Sequence, residues 1–515
     1  MPSKKSGGED RQPEGKNVGR RRFLANGLVI TGSLLVGTSA LAKEYLAKKS
    51  ANAIDYEPLK KELKGTLAMP GDANYSKFVY STLWNQLRPQ NRVPNVVVRV
   101  ADEQDVVKAV KFAKANNLKV VVRGGGHNWC CPSLRKGGML VDLTELNKVI
   151  SIDTLNKVAV LQPILSNREV QAALNEKGLS YPTGHCPQVK ISGYLLGGGM
   201  SWNQGTWGAG TASVEAIELV TADGELIKAS KDEHPDYFWA ARGGGSGFFG
   251  VAVRYHLKLY DLPKAITGSV YYFPLDQSEK VGDWLSATAP KLNPCIELSQ
   301  FIVQAPKEIA EQCKGHNGWA CMVTATAFAD TAEEGAKVLA PFEQCPVKCL
   351  SKTINSPLNF TQLFDASGAM WPELVRSRVD AHYSNASAGA IFKDIWKHFL
   401  HAPSTLTVFL YAVFCGPNVP APLPDCAFSM SSKLYGGPWT TWKDGNDDEV
   451  NMKWHEQLMD LIKPHIHGYY VSESDTVGHP EYFKKAYSPR NLERLSELRK
   501  KYDPTGVFFA PGEGV

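Results

Sequence analysis

Arg123-Gly124-Gly125-Gly126-His127-Asn128-Trp129 closes the apolar run Val120-Val121-Val122, and Gly184-His185-Cys186-Pro187 follows further along the chain. The first stretch sets a histidine directly after three glycines. The second sets a cysteine a few residues before another cluster, Gly197-Gly198-Gly199. Glycine has no Cβ, so backbone N–H groups in such loops can approach a pyrophosphate closely. Two nucleophilic side chains, each on its own glycine-rich loop, read as a pair presented to one flat ligand. A third cluster runs from Gly243 to Gly250. None of the three has the G-x-G-x-x-G order between strand and helix that marks a Rossmann site. A dinucleotide-binding fold of another kind is expected.

The residues around the first loop alternate strand and helix. Val96 to Val100 reads as a strand, Asp105 to Ala115 as a helix with Val106, Val107, Val110 and Ala113 at helical spacing, and Leu118 to Val122 as the next strand. This β-α-β order indicates a mixed α/β domain. Strands are expected at Met139–Leu143, Val158–Leu161 and Val251–Leu259, with a hairpin turn at Thr221-Ala222-Asp223-Gly224. After Pro263 the pattern changes. Strands such as Ser269–Phe273 and Cys321–Phe328 then alternate with helices such as Ala332–Leu339 and Ala388–Phe399. Near the C-terminus, Gly468–Val471 reads as a strand and Asn491–Lys501 as a helix. The segmentation expected is 1–42, 43–92 as a lead-in, 93–265, 266–459 and 460–515.

The first segment reads as an address. Arg20-Arg21-Arg22-Phe23-Leu24 matches the twin-arginine pattern, a short run diluted by glycine and serine follows, and Ala40-Leu41-Ala42 offers a cleavage point. Export by the twin-arginine machinery, to a bacterial periplasm or beyond, is the expectation. With 515 residues, the chain can bury a large core. A net charge of +5 with no zinc-finger spacing, basic zipper or arginine-rich tract sets nucleic acid aside. Ten cysteines in an oxidising compartment invite disulfides; Cys345 and Cys349, and Cys313 and Cys321, are local enough to pair. The connectivity stays open. Cys313, His316 and Cys321 match no standard zinc spacing, so no metal is expected.

The glycine loops, taken in order with Trp239-Ala240-Ala241-Arg242-Gly243-Gly244-Gly245 and Tyr502-Asp503-Pro504, resemble the berberine-bridge-enzyme-like branch of the vanillyl-alcohol-oxidase superfamily. The resemblance implies an α+β fold. It comprises an FAD-binding domain of two α/β subdomains over 93–265, and a substrate domain with an antiparallel sheet flanked by helices over 266–459. Segment 460–515 would return to the FAD domain. It implies FAD held by two covalent bonds, through His127 to the flavin 8-methyl group and through Cys186 to flavin C6. Other expected FAD contacts are Arg123, Gly124, Gly125, Gly126, Asn128, Val189, Gly193, Gly197, Gly198, Gly199, Gly250 and Val251. Val189 occupies the family's oxygen gate, where a small side chain goes with reaction towards O2. Tyr470, in His467-Gly468-Tyr469-Tyr470-Val471-Ser472-Glu473, falls on the family's proton-accepting tyrosine.

Several positions depart from the pattern. Lys190, Ser192 and Tyr194 replace glycine, glycine and histidine after Cys186, and Ser472 replaces an asparagine. Cys130 and Cys131 are competitors for the flavin, and Tyr469 for the base, although neighbours in a strand point to opposite faces. Glu473 and Asp475 either orient Tyr470 or cap a turn. The implied activity is oxidation of an alcohol or carbohydrate-type substrate, such as a natural-product alcohol or an oligosaccharide, with O2 as acceptor and hydrogen peroxide as product. A dehydrogenase with another acceptor, or a flavin-binding module without catalysis, are the alternatives.

Overall fold

A computed structural model describes residues 54–515. The twin-arginine segment and the start of the lead-in lie outside the described residues. The helix expected near Asp105 begins at Glu103, because the Asp102 side chain accepts from the Gln104 and Asp105 N–H groups and caps it. Asp105 is itself buried and accepts from the N–H groups of Lys64, Gly65 and Ala101. The helix thereby pins the lead-in to the first sheet. That sheet holds β1 (Thr66–Ala68), β2 (Val96–Arg99), β3 (Val120–Arg123) and β4 (Met139–Asp142) in the order β1-β2-β4-β3. β4 runs parallel to both β2 and β3, as a crossover helix requires.

A second sheet of five antiparallel strands follows: β5 (Val149–Asp153), β6 (Val158–Leu161), β8 (Val214–Val220), β9 (Leu226–Ser230) and β10 (Val251–Lys258), ordered β5-β6-β10-β8-β9. β7 (Leu179–Ser180) pairs with β11 (Tyr260–Asp261) in a two-stranded ribbon. Residues Glu57–Val515 form one compact unit.

The third sheet is antiparallel throughout. It contains β12 (Ala265–Pro274), β13 (Ile296–Gln304), β14 (Trp319–Ala329), β15 (Ser351–Leu358), β16 (Arg376–Val379), β17 (His382–Ser384), β18 (Val408–Val413), β19 (Leu434–Trp442) and β20 (Gly468–Tyr469). The order is β15-β12-β14-β13-β18-β19-β17-β20, with β16 also on β19. Period-two alternation gives it two apolar faces. Leu298, Ile302, Phe409 and Tyr411 meet the helices Ser278–Thr288, Ala388–Phe399 and Asp448–Ile462. Phe301, Val303, Leu410 and Trp439 face the other way and pack with Trp129, Met200, Phe428 and Tyr470. This second face is the one that meets the glycine loops.

The C-terminal segment ties the sheets together. β20 joins β17, while further on the Asp503 carboxylate accepts from the Val507 and Phe508 N–H groups and turns the tail so that Phe508 bridges Val120 of β3. The expected strand Gly468–Val471 is shorter than anticipated. It ends after Tyr469 because the chain turns back on itself, the Glu473 and Ser474 N–H groups both donating to the Tyr470 carbonyl.

All ten cysteines are free thiols, so the expected disulfides are corrected. Cys313 packs in a small cluster with Ile309, whereas Cys321 points into the helix-covered core. Among the described residues no group of ligands could hold a metal ion, and no helix is long and apolar enough to cross a membrane.

Candidate active site

A cavity of about 1090 Å³ runs between the glycine loops and the open face of the third sheet. That is the upper end of ligand-pocket size. Its wall includes Gly124, Gly125, Gly126, His127, Asn128, Cys186, Val189, Gly193, Gly250 and Tyr470, so both nucleophiles and the tyrosine share one space.

The loop holding His127 is set from behind. The Arg123 guanidinium is buried against Asp142 at 2.9 Å and donates to the Phe78 and Val79 carbonyls. Its side chain is spent on the framework. Gly126 has φ of 69°, and a Cβ there would strike the Thr82 carbonyl, so only glycine fits. His127 sits among Trp84, with ring centroids 5.3 Å apart, and Trp129, at 6.0 Å. Burial first, and then the Lys190 charge, bring its pKa down to about 4 against a raising hydrogen bond. The imidazole is therefore neutral at pH 7, with a lone pair free to form a bond.

The Cys186 loop is tied to the helix Asn167–Asn175. A capping box of Ser166 and Glu169 starts that helix, and the Asn167 and Arg168 N–H groups donate to the Val189 and Pro187 carbonyls. Asn167 Nδ2 also donates to the Cys186 carbonyl at 3.2 Å, and Tyr181 fixes Asn167 by donating to its Oδ1 at 2.7 Å. The departures from the family pattern rebuild the loop. Ser192 and Lys190 pack where side chains at Gly124 and Gly125 would lie, Lys190 Nζ pairs with Glu169 at 3.3 Å, and Tyr194 donates to the Pro182 carbonyl at 2.6 Å. Burial and the nearby Glu473 charge push the Cys186 thiol up to about 12. It is held in place as a thiol.

Tyr470 is buried between Phe428, Tyr383 and Tyr435, and its oxygen accepts from the Gly199 N–H at 3.1 Å. Burial and the Glu473 charge raise its pKa, against lowering contacts from Gly199, Ser472 and Met200. Tyr469 faces the helix-covered core and stacks on Tyr482 with centroids 3.8 Å apart, which removes it as a competitor. Asp475 caps a turn, accepting from Val477 and Gly478 N–H groups while pairing with Arg378.

Four expected contacts do not reach the cavity wall. Cβ atoms at Gly197, Gly198 and Gly199 would collide with Ser472, Phe428 and Tyr194, so this cluster is a packing site between elements. Gly199, at φ of 81°, serves through the N–H it gives to Tyr470. Val251 is wholly buried at the start of β10. Cys131 lines the cavity and Cys130 does not; the Cys130 thiol donates to Asn128 Oδ1 at 3.1 Å.

Two polar pairs on the wall escaped the sequence reading. His185 Nε2 bonds Glu297, whose other oxygen accepts from the Asn203 N–H at 3.0 Å, and the His185 ring lies 4.3 Å from Trp202. Tyr435 donates to Glu473, and burial raises the Glu473 pKa. Their partners lie far apart in sequence, so no local spacing announces them. His185 stands beside Cys186 in the sequence, and Glu473 stands in the motif that holds Tyr470; their partners gave no signal.

Comparison with known proteins agrees with this architecture. Residues 94–230 match the family model described as FAD binding domain, and residues 462–511 match that described as berberine and berberine like. The two matches support a berberine-bridge-enzyme-like FAD-linked oxidoreductase. It is 26% identical over 427 residues to the FAD-linked oxidoreductase nodO of Hypoxylon pulicicidum, covering 82% of this chain and 91% of that one. To (R)-6-hydroxynicotine oxidase of Paenarthrobacter nicotinovorans it is 30% identical over 263 residues, covering 50% and 56%. The structure of BBE-like 1 from Physcomitrella patens superposes with a TM-score of 0.74 at 20% identity, covering 90% of this chain and 99% of that one.

The residues fit FAD. A side chain at Gly193 would point into open space on the cavity wall, the clearance a ring system needs. His127 is uncharged, and the loop Gly124–Gly126 exposes backbone to the cavity.

Proposed function

We propose that this oxidoreductase is an exported oxidase that holds FAD through both His127 and Cys186 and oxidises an alcohol or carbohydrate-type substrate. The observation carrying the reading is that His127, Cys186 and Tyr470 line one cavity. FAD, when bound, supplies the hydride acceptor and the route for electrons to O2. The chain supplies position and proton handling. Tyr470 takes the substrate hydroxyl proton, and the Gly199 N–H stabilises the charge that develops on its oxygen. Protonation of Glu473, favoured by its burial, lifts the repulsion that otherwise resists that charge.

Trp371, Trp439, Phe301 and Phe414 give the substrate an apolar, aromatic wall, to which Glu297, paired with His185, and Glu473, bonded by Tyr435, add carboxyl oxygens. Neutral substrates suit this wall. A panel of alcohols, sugars and amines mixed anaerobically with the protein tests the reading: bleaching of the flavin by a CH–OH compound is expected. Bleaching by amines alone would move the chemistry to C–N bonds. No bleaching by any member would favour a module without catalysis.

Val189 supports O2 as the acceptor, being small and on the cavity wall with its carbonyl held by Asn167 at 2.9 Å. Val189→Leu is expected to slow flavin reoxidation by O2 far more than reduction by substrate in stopped-flow traces. Equal reoxidation by the two proteins would leave Val189 a packing residue and favour the dehydrogenase.

Export rests on Arg20-Arg21 and the run behind them. Changing both arginines to lysine should hold a folded yellow precursor in the cytoplasm; unchanged export of that variant would remove the twin-arginine reading.

A further inference from the structure

Arg135 is a buried cation with nothing to bind. It is 3% exposed, and it makes no hydrogen bond or ion pair with any described residue; its Nε and Nη1 are fully covered and unpartnered. Yet it belongs to the cavity wall, beside Cys131, Pro132 and Ser133. Arg92, 8% exposed, stands near enough to act on it electrostatically. Arg92 spends Nη2 on the Cys130 carbonyl at 2.9 Å and leaves Nη1 buried without a partner.

The charges around them do not compensate. Glu513 is the acid that acts on Arg135, but its carboxylate is held by Lys119 at 2.9 Å and by the Ala510 N–H at 2.9 Å. Burial raises the thiols of Cys130 and Cys131, so both are neutral at pH 7. Burial and then Arg92 bring Arg135 down to about 10, which still leaves it charged. Two buried guanidinium groups without an anion are costly, and folded proteins keep such groups where an anion will arrive.

We propose that Arg135, supported by Arg92, is an anion seat in the cavity wall and that its anion is the pyrophosphate of the bound dinucleotide. This rests on the FAD reading above. Phosphate oxygens are the acceptors that a planar guanidinium fork pairs best. The pyrophosphate also carries the only charges of FAD. Arg135 falls within the segment that matches the FAD binding domain, and it shares the cavity with the backbone of Gly124–Gly126. An acidic substrate is the rival source of an anion. Glu297 and Glu473, the carboxyl groups on the same wall, offer it no cation, and neither is among the charges acting on Arg135.

The holoenzyme provides the test through ³¹P NMR of its own cofactor. Arg135→Gln is expected to move at least one pyrophosphate resonance by more than its linewidth and to lower flavin per purified chain several-fold. Arg135→Lys, which keeps the charge and protects against a folding failure, should move the same resonance while keeping most of the flavin. Unchanged resonances and unchanged flavin content in Arg135→Gln would overturn the proposal. If inorganic phosphate added to the wild-type holoenzyme broadens in an Arg135-dependent way, the seat is free in the loaded enzyme and the pyrophosphate assignment falls. A wild-type chain purified without any flavin would instead sink the FAD reading. In that case titrated inorganic pyrophosphate decides the seat alone: binding lost in Arg135→Gln keeps it, and binding retained removes it.

Discussion

Replacing Tyr470 by phenylalanine is expected to slow reduction of the flavin by substrate ~10²–10⁴-fold, the usual cost of losing a positioned proton acceptor. The ring remains, and with it the edge-on packing against Tyr435 at 5.5 Å and Phe428 at 6.4 Å. What goes is one oxygen, together with the acceptor for the Gly199 N–H. An anaerobic stopped-flow comparison isolates this step from reoxidation. The rival is Glu473, which already accepts from Tyr435 and whose pKa is raised by burial. Glu473→Gln removes that acceptor and leaves the Tyr470 hydroxyl in place. If Tyr470 is the acceptor, its variant carries the large loss. The Gln variant then loses less and shifts the pH profile, because a neutral side chain no longer opposes charge on Tyr470. A near-normal rate in the Phe variant with a large loss in the Gln variant would transfer the role to the Glu473–Tyr435 pair.

The contrast between these two residues shows where sequence reading reaches its limit. Tyr470 was legible because it occupies a register position in a motif, and its neighbour Tyr469 was separable by strand alternation alone. The β-α-β start, the hairpin after Val220 and the helix Ala388–Phe399 were legible for the same reason, since periodicity is local. Glu473 was visible but had no readable role, because its meaning depends on Tyr435 across the sheet. Arg135 was silent: a charged residue in a loop reads as solvated until burial is known. Gly197–Gly199 has a packing role that its sequence did not announce. A glycine cluster looks like a ligand loop, yet here the missing side chains make room for Ser472, Phe428 and Tyr194. Cysteine count misled, since all ten thiols are free.

The covalent flavin links carry the other large effect. Acid-precipitated wild-type protein is expected to stay yellow, and a flavin peptide from its digest should contain segments around both His127 and Cys186. The two bonds should differ in how readily they form. His127 has a pKa of about 4, so its nitrogen is unprotonated throughout the neutral range and ready to bond. Cys186 reacts as a thiolate, and with its pKa pushed up to about 12 the thiolate fraction at pH 7 is very small. That fraction rises with pH, so the cysteinyl bond should accumulate more slowly and faster in alkaline buffer, while the histidyl bond shows no such dependence. Either His127→Ala or Cys186→Ala alone should keep flavin through the remaining bond, the former with lower occupancy, and only the double variant should release it fully on denaturation. Full release from Cys186→Ala would show that the histidine never bonded. Retention by the double variant would point to Cys131, which lines the cavity, ahead of Cys130, whose thiol is turned to Asn128.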